Sequence, residues 1–272
     1  KPSDDNEFIF FYRPFRTRDY KVNYLDERGK TEIEGFYKGL KLKDTAGLTG
    51  EELIKVQEAN KKKFKDGKKT LDDILDKYKI VDQEKVVSKC RHFDARNYRP
   101  IPGWKLTSDP QQQLFYDVNE DTNEFLGING TSGDQIFFYY KDARVIEVPK
   151  DGKTPDGYVR VTFKADKGGS FGKDKDGKDI KELNYDVIEG LKSDLLPVPQ
   201  ELKDGEKKVA DKYYITPETG KKFTKWDKSP LLNKNTIIDE NHEFTANFEW
   251  SGLSATGLVR TEAFEDDKKE GT

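Results

Sequence analysis

Two imidazoles, His92 and His242, and one thiol, Cys90, are the side chains of this 272-residue chain with the widest reach for base, nucleophile or transition-metal work. A zincin helix needs two His four residues apart with Glu after the first, so that both rings leave one face. The run Asn241-His242-Glu243-Phe244-Thr245-Ala246 supplies the first His and the Glu, but Ala246 stands where the second ligand belongs. No Gly-x-Ser-x-Gly elbow accompanies either His, and Cys90 has only His92 near it in sequence, with nothing to mark an activating pocket. The acidic cluster Asp174-Lys175-Asp176-Gly177-Lys178-Asp179 suggests calcium. Its glycine is fourth rather than sixth from Asp174, and Glu182 comes too early to close an EF-hand, so it reads as a solvated turn. Gly168-Gly169 and Gly172 precede no Gly-Lys-Ser/Thr pattern, which argues against a phosphate loop. The expectation is no catalytic residue, no metal site and no cofactor.

Binding chemistry is the better prospect. Lys61, Lys62, Lys63, Lys65, Lys68 and Lys69 form the densest basic run, answered nearby by Asp66. Such a run is the solvated face of a helix, or a contact for an acidic partner such as a sialylated glycan, a wall polymer or an acidic host protein, where charge speeds encounter. Asn129-Gly130-Thr131 is formally a glycosylation sequon and reads as a tight turn.

The elements that must carry these residues alternate between two periods. Tyr20, Val22 and Tyr24 alternate as in a strand, and the acidic turn closed by Gly29 predicts a hairpin whose return strand includes Ile33, Phe36 and Tyr37 and runs to about Leu42. Thr49-Gly50-Glu51-Glu52 is a capping box, with Gly67 as a stop. Thr70 caps a second short helix bearing Leu71, Ile74, Leu75 and Tyr78 on one stripe, and a third helix is expected from Asp82 to Cys90. Strand signals return after Pro100, at Trp104 to Leu106, Leu114 to Val118 and Ile136 to Lys141. Pro149, Gly152, Pro155 and Gly157 punctuate a linker, after which Tyr158 to Phe163 opens a second unit that Glu243 to Phe248 closes. Ile9-Phe10-Phe11-Tyr12 echoes Ile136-Phe137-Phe138-Tyr139, as though residues 1–18 end a preceding repeat or add a strand.

Composition bounds the rest. The chain has 49 basic and 52 acidic side chains, a net charge of −3 that draws neither nucleic acid nor an anionic membrane, and no apolar run long enough to cross a bilayer. An apolar share of roughly 36%, counting glycine but not tyrosine, is low against the ~45–50% of ordinary globular chains, while the 12% aromatic content argues against disorder. Thin cores built on rings are expected, with Trp104 and Trp226 as anchors and each sheet covered on one face and wet on the other. With one Cys, no Met and Lys at position 1, the chain reads as an excerpt of a secreted surface protein.

The residues Tyr20, Val22, Tyr24 and Asp26, then Pro102, Gly103, Trp104 and Leu106, then the final aromatic strand, resemble the MucBP-like modules of Gram-positive surface proteins over about 19–141. Val161-Thr162-Phe163, Phe223-x-x-Trp226, Thr236-Ile237-Ile238 and Phe244 to Phe248 resemble the Listeria–Bacteroides repeat over about 158–250. The resemblance implies an α+β fold, mainly β: tandem small β-grasp-like modules at 19–148 and 158–253, a linker at 149–157 and an acidic linker from 254 to 272. It further implies a cell-wall location and an adhesive or spacer role. The first module departs from its family by about fifty residues, taken as a helical insertion at 48–97 that meets a host extracellular protein or glycan and could be deleted without unfolding the sheet. The alternatives are a passive stalk and an accessory module flanking a surface enzyme.

Overall fold

The computed structural model describes residues 16–203, 205–228 and 235–252, and the expected strand at 9–12 and the tail from 254 lie outside them. The chain divides into two compact units, Lys1–Asp142 and Ala143–Thr272. Among the described residues it is mostly strand, 41% against 20% helix, in several small sheets, as an α+β fold allows.

The first unit runs β1 (Arg18–Asp26), α1 (Lys30–Gly39), α2 (Gly50–Tyr78), β2 (Glu84–Ser88), β3 (Phe93–Asn97), β4 (Trp104–Leu106), β5 (Gln111–Asn119), β6 (Glu124–Ile128) and β7 (Gln135–Asp142). One sheet has the order β2-β1-β7-β4, with β1 and β7 parallel and side by side and the outer strands antiparallel; a second has the order β3-β5-β6. Strand alternation sends Tyr20, Val22 and Tyr24 of β1 and Ile136, Phe138 and Tyr140 of β7 into one core with Leu114, Tyr116 and Ile128 of the second sheet. Leu25, with Phe137 and Tyr139 half-buried, joins Ile33, Phe64, Leu71 and Leu75 of the helices in another. The central sheet is therefore covered on both faces, by helices and by a second sheet, where the sequence suggested one wet face.

The expected return strand is helix α1. The Asp26 carboxylate accepts from the Arg28 amide (2.9 Å) and pairs with its guanidinium (2.7 Å), starting a 3-10 turn at Glu27–Gly29 that leads straight into the helix. Ile33, Phe36, Tyr37 and Leu40 have helical spacing and pack on α2 and the sheet. Helix α2 is one element of 29 residues rather than two short ones. Gly67 does not stop it: a Cβ there would lie 3.0 Å from Leu40 Cδ2 and 3.1 Å from Phe36 Cε2, so the residue lets α1 approach. The third expected helix, Asp82 to Cys90, is mainly strand β2, with Val86 packed inward and Val87 exposed.

These corrections remove the idea of a detachable insertion. Residues 48–97 contain α2, β2 and β3, which supply core side chains, the partner of β1 and the partner of β5.

The second unit runs β8 (Val145–Val148), β9 (Tyr158–Ala165), β10 (Gly169–Ser170), β11 (Glu182–Ile188), β12 (Leu191–Lys192), β13 (Gln200–Glu201), β14 (Tyr214–Pro217), β15 (Lys221–Trp226), β16 (Ile237–Ile238) and β17 (His242–Trp250). Its main sheet has the order β15-β17-β9-β11-β8, and again the parallel pair, β9 with β17, is central. Residues 143–148, expected in the first module, belong here because β8 pairs with β11. The expected linker 149–157 is tied to the same sheet. Arg160 pairs with buried Asp186 (2.6 Å) and donates to the carbonyls of Lys150 (3.2 Å) and Gly152 (2.7 Å). Trp226 is the anchor anticipated, packed on Phe163 (5.4 Å) and Phe171 (6.0 Å). Trp104 lies half-buried at the edge of its core.

Candidate binding surface

Strand β5 begins Gln111-Gln112-Gln113-Leu114-Phe115-Tyr116, and alternation buries Leu114 and Tyr116 while sending Gln111, Gln113 and Phe115 outward. On β3, Phe93, Ala95 and Asn97 face the same way. Register places Phe93 opposite Phe115 and Asn97 opposite Gln111, so the two phenyl rings meet at 5.5 Å while 48% and 58% exposed. Two large rings adjacent and open to solvent are unusual in a chain with so little apolar content, since most of its rings are spent on cores.

An amide ladder continues the surface. Gln111 Nε2 donates to Asn97 Oδ1 (2.8 Å) and Gln113 Nε2 to Gln111 Oε1 (2.9 Å). Asn129 accepts from the Phe115 amide (2.8 Å) and donates to the Gln113 carbonyl (3.1 Å), which fixes the turn beside the rings. At φ 51° Asn129 begins that tight turn, as the sequence suggested, and its amide is occupied.

A polar layer behind this sheet holds it in place. Asp94 accepts from Ser88 Oγ (2.8 Å) and the Tyr116 hydroxyl (3.2 Å). Burial, with Asp94 adding to it, pushes the Tyr20 phenol up to about 12. Glu84 accepts from the Tyr24 hydroxyl (2.8 Å) and pairs with Arg96. Burial alone would raise the Glu84 carboxyl, but the hydrogen bonds from Tyr24 and Arg96 outweigh it and hold the group below the usual carboxylate range.

The six lysines do not form one patch. Lys62, Lys65 and Lys69 lie exposed at helical spacing on α2, Lys61 is bonded to Glu124 (2.6 Å) and the Phe125 carbonyl (3.1 Å), Lys63 donates to the Lys41 carbonyl (2.6 Å), and Lys68 is half-buried. His92 stands 3.6 Å from Glu120, and Cys90 is exposed. Ala246, in the position a zincin would give to its second His, is buried in the core of the second unit. Asp174 caps its own turn, accepting from the amides of Asp176 and Lys178 at 2.9 Å. Among the described residues no three His, Cys, Asp or Glu side chains are grouped to hold a metal ion, and no helix is long and apolar enough to cross a membrane.

Sequence reasoning missed Phe93 and Phe115. The signal was present in β5: a phenyl ring out of phase with Leu114 and Tyr116 must face away from their core. With the geometry in view, no family model and no curated protein matches the chain.

Proposed function

We propose that this chain is a non-enzymatic binding segment of a Gram-positive cell-wall-anchored adhesin, meeting an extracellular host protein or glycan through its first unit. The observation that carries the reading is the Phe93–Phe115 pair, exposed on a sheet face beside the amides of Asn97, Gln111 and Gln113. Exposed aromatics beside fixed hydrogen-bonding groups are what interfaces use as anchors. The reading moves the contact from the lysine run of α2 to the outer face of β3-β5-β6. The β-grasp-like, MucBP-like and Listeria–Bacteroides-like descriptions belong to the same proposal. They are supported by the adjacent parallel β1/β7 and β9/β17 pairs, each flanked by antiparallel strands.

Immobilised mucin, plasma proteins and immunoglobulins, probed with the whole chain and with Phe93→Ser/Phe115→Ser, test it. Retention of the parent chain and loss in the double variant are expected; equal retention of both, or of neither, would remove the reading.

The parallel pairs also favour a second reading, a spacer. Strands β1 and β7 run the same way, as do β9 and β17, so tension applied at opposite ends of such a pair shears all its hydrogen bonds together instead of peeling them singly. Stretching single molecules decides this: high-force unfolding of both units supports a stalk, and low-force unfolding argues against one.

A further inference from the structure

Five buried side-chain polar atoms have no hydrogen-bond partner among the described residues, and three of them come from one corner of the first unit: Tyr37 Oη, Asp134 Oδ1 and Gln135 Nε2. Buried polar groups are almost always paired, so a cluster of exceptions calls for a cause. Gln135 is only 3% exposed. Its Oε1 is already occupied by Asn23 Nδ2 (3.0 Å) and Gln83 Nε2 (3.2 Å), which fixes the amide with its donor end unused. Tyr37 and Gln135 both line a cavity of about 370 Å³ between α1 and β7, the lower end of the range for small-molecule sites.

The walls define the ligand. Tyr37, Phe137 and Tyr139 offer ring faces, with Ile33 and Ile128 beside them; no Lys, Arg or His lines the space, so an anion would find no countercharge, and the one charged lining residue, Glu34, is 65% exposed and already paired with Lys30 (3.9 Å), which leaves a cation little to gain. Of the groups on the lining, an unused amide N–H needs an acceptor and a phenol can serve as donor or acceptor; hydroxyl groups on a neutral ring answer both. Gly133 lets the backbone pack close to the Phe64 ring and the Tyr37 hydroxyl, since a Cβ there would lie 2.9 Å from the one and 3.2 Å from the other.

We propose that this cavity binds one pyranose sugar, its C–H face on the aromatic wall and its hydroxyls on Tyr37 and Gln135. The site is distinct from the Phe93–Phe115 surface and does not depend on it. The test is saturation-transfer NMR on the whole chain with glucose, galactose and N-acetylglucosamine, and with choline and inorganic phosphate as charged probes, followed by Tyr37→Phe. That variant keeps the ring packing on Phe36, Phe64 and Phe137 and removes only the hydroxyl. At least one sugar should give transfer, choline and phosphate should be silent by displacement of it, and Tyr37→Phe should weaken sugar binding about three- to tenfold, as loss of one neutral hydrogen bond does, with an unfolding temperature equal to or above the parent's. Silence of all three sugars, displacement by a charged probe, or transfer unchanged in Tyr37→Phe would overturn the assignment. Should the hydroxyl be structural instead, Tyr37→Phe would lower the unfolding temperature, which also overturns it.

Discussion

Both units place a parallel strand pair at the centre of the main sheet, yet they cover that sheet by different means. In the first, two helices pack on one face and a three-stranded sheet on the other. In the second, the core is made by short strands and loops folded over the five-stranded sheet, with Phe171, Leu191, Leu196, Ile215 and Ile238 contributed by segments between its strands. A chain poor in aliphatics can do either because a few rings bury much area each, at ~25 cal/mol per Å² of apolar surface. The difference is that long-range elements carry the first core and local closures carry the second. In the first, the second layer β3-β5-β6 turns Phe93 and Phe115 to its outer face.

The largest effect that contrast predicts comes from deleting residues 48–97. The deletion removes Phe64, Leu71 and Leu75 from one core and takes away β2 and β3, the partners of β1 and β5. The first unit should lose its fold altogether while the second melts as before, visible as the loss of one of two calorimetric transitions. A deletion variant that keeps both transitions would restore the segment to the status of an insertion.

Single core truncations come next and should stay within their own unit. Leu71→Ala, at a fully buried site between helix and sheet, is expected to cost the first unit about 2–5 kcal/mol. Trp226→Ala should cost the second about 3–5 kcal/mol, through its packing on Phe163 and Phe171. Denaturant titration followed by domain-resolved NMR checks both; a shift of the other unit's midpoint by either variant would contradict the independence of the cores.

How much of this was legible depended on which interactions fixed each element. Strands β1, β7, β9 and β17 could be read because alternation is local, and Trp226 could be read as an anchor because nothing else so large lies near it. Helix α1 was missed although Ile33, Phe36, Tyr37 and Leu40 already had helical spacing, because the turn ending at Gly29 resembled a hairpin until Asp26 was seen to bond Arg28. Gly67 was read as a stop because composition cannot tell a terminating glycine from one that makes room for Leu40 and Phe36. The lysine run was legible as part of a helix, but its dispersal among Glu124, the Phe125 carbonyl of β6 and the Lys41 carbonyl after α1 depended on segments far away in sequence. Phe93 and Phe115 could be paired only once the β3–β5 register was known.

Acid should separate the units more gently. In the first, hydrogen bonds and charge from Arg28 hold Asp26 below its usual range against its burial, and Glu84 is held low by Tyr24 and Arg96 against its own. A carboxyl depressed in the folded state adds stability above its unfolded pKa and loses it as pH falls through the folded value. Asp117 acts in the opposite sense, since burial raises it and protonation relieves that cost. In the second unit Glu182 is held low, through Asn184 and Lys150, against its burial. The exposed Glu32 is held low as well, by Lys77 and Tyr78, so three depressed carboxyls set against Asp117 in the first unit compare with Glu182 in the second, and the first unit should lose more of its unfolding temperature between neutral pH and the acid range below the carboxylate values. Glu84→Gln should flatten that dependence and Asp117→Asn should steepen it; parallel acid profiles for the two units would refute the difference.

The smallest stability effect is expected where the functional one is greatest. Phe93 and Phe115 are more than 40% exposed, so replacing both by Ser forfeits mainly their cross-strand contact, worth about 0.2–1 kcal/mol. The amide ladder beside them, and Leu114 and Tyr116 beneath, remain in place. A core ring truncated in the same unit would instead lower stability and binding together, because the surface would no longer be held. Comparing Phe93→Ser/Phe115→Ser with Phe138→Ala therefore separates recognition from support: the first should keep its unfolding midpoint within about 1 kcal/mol and lose partner retention, the second should lose both. Retention that follows stability alone across the two variants would mean that the exposed pair is incidental and that the first unit does not bind through this face.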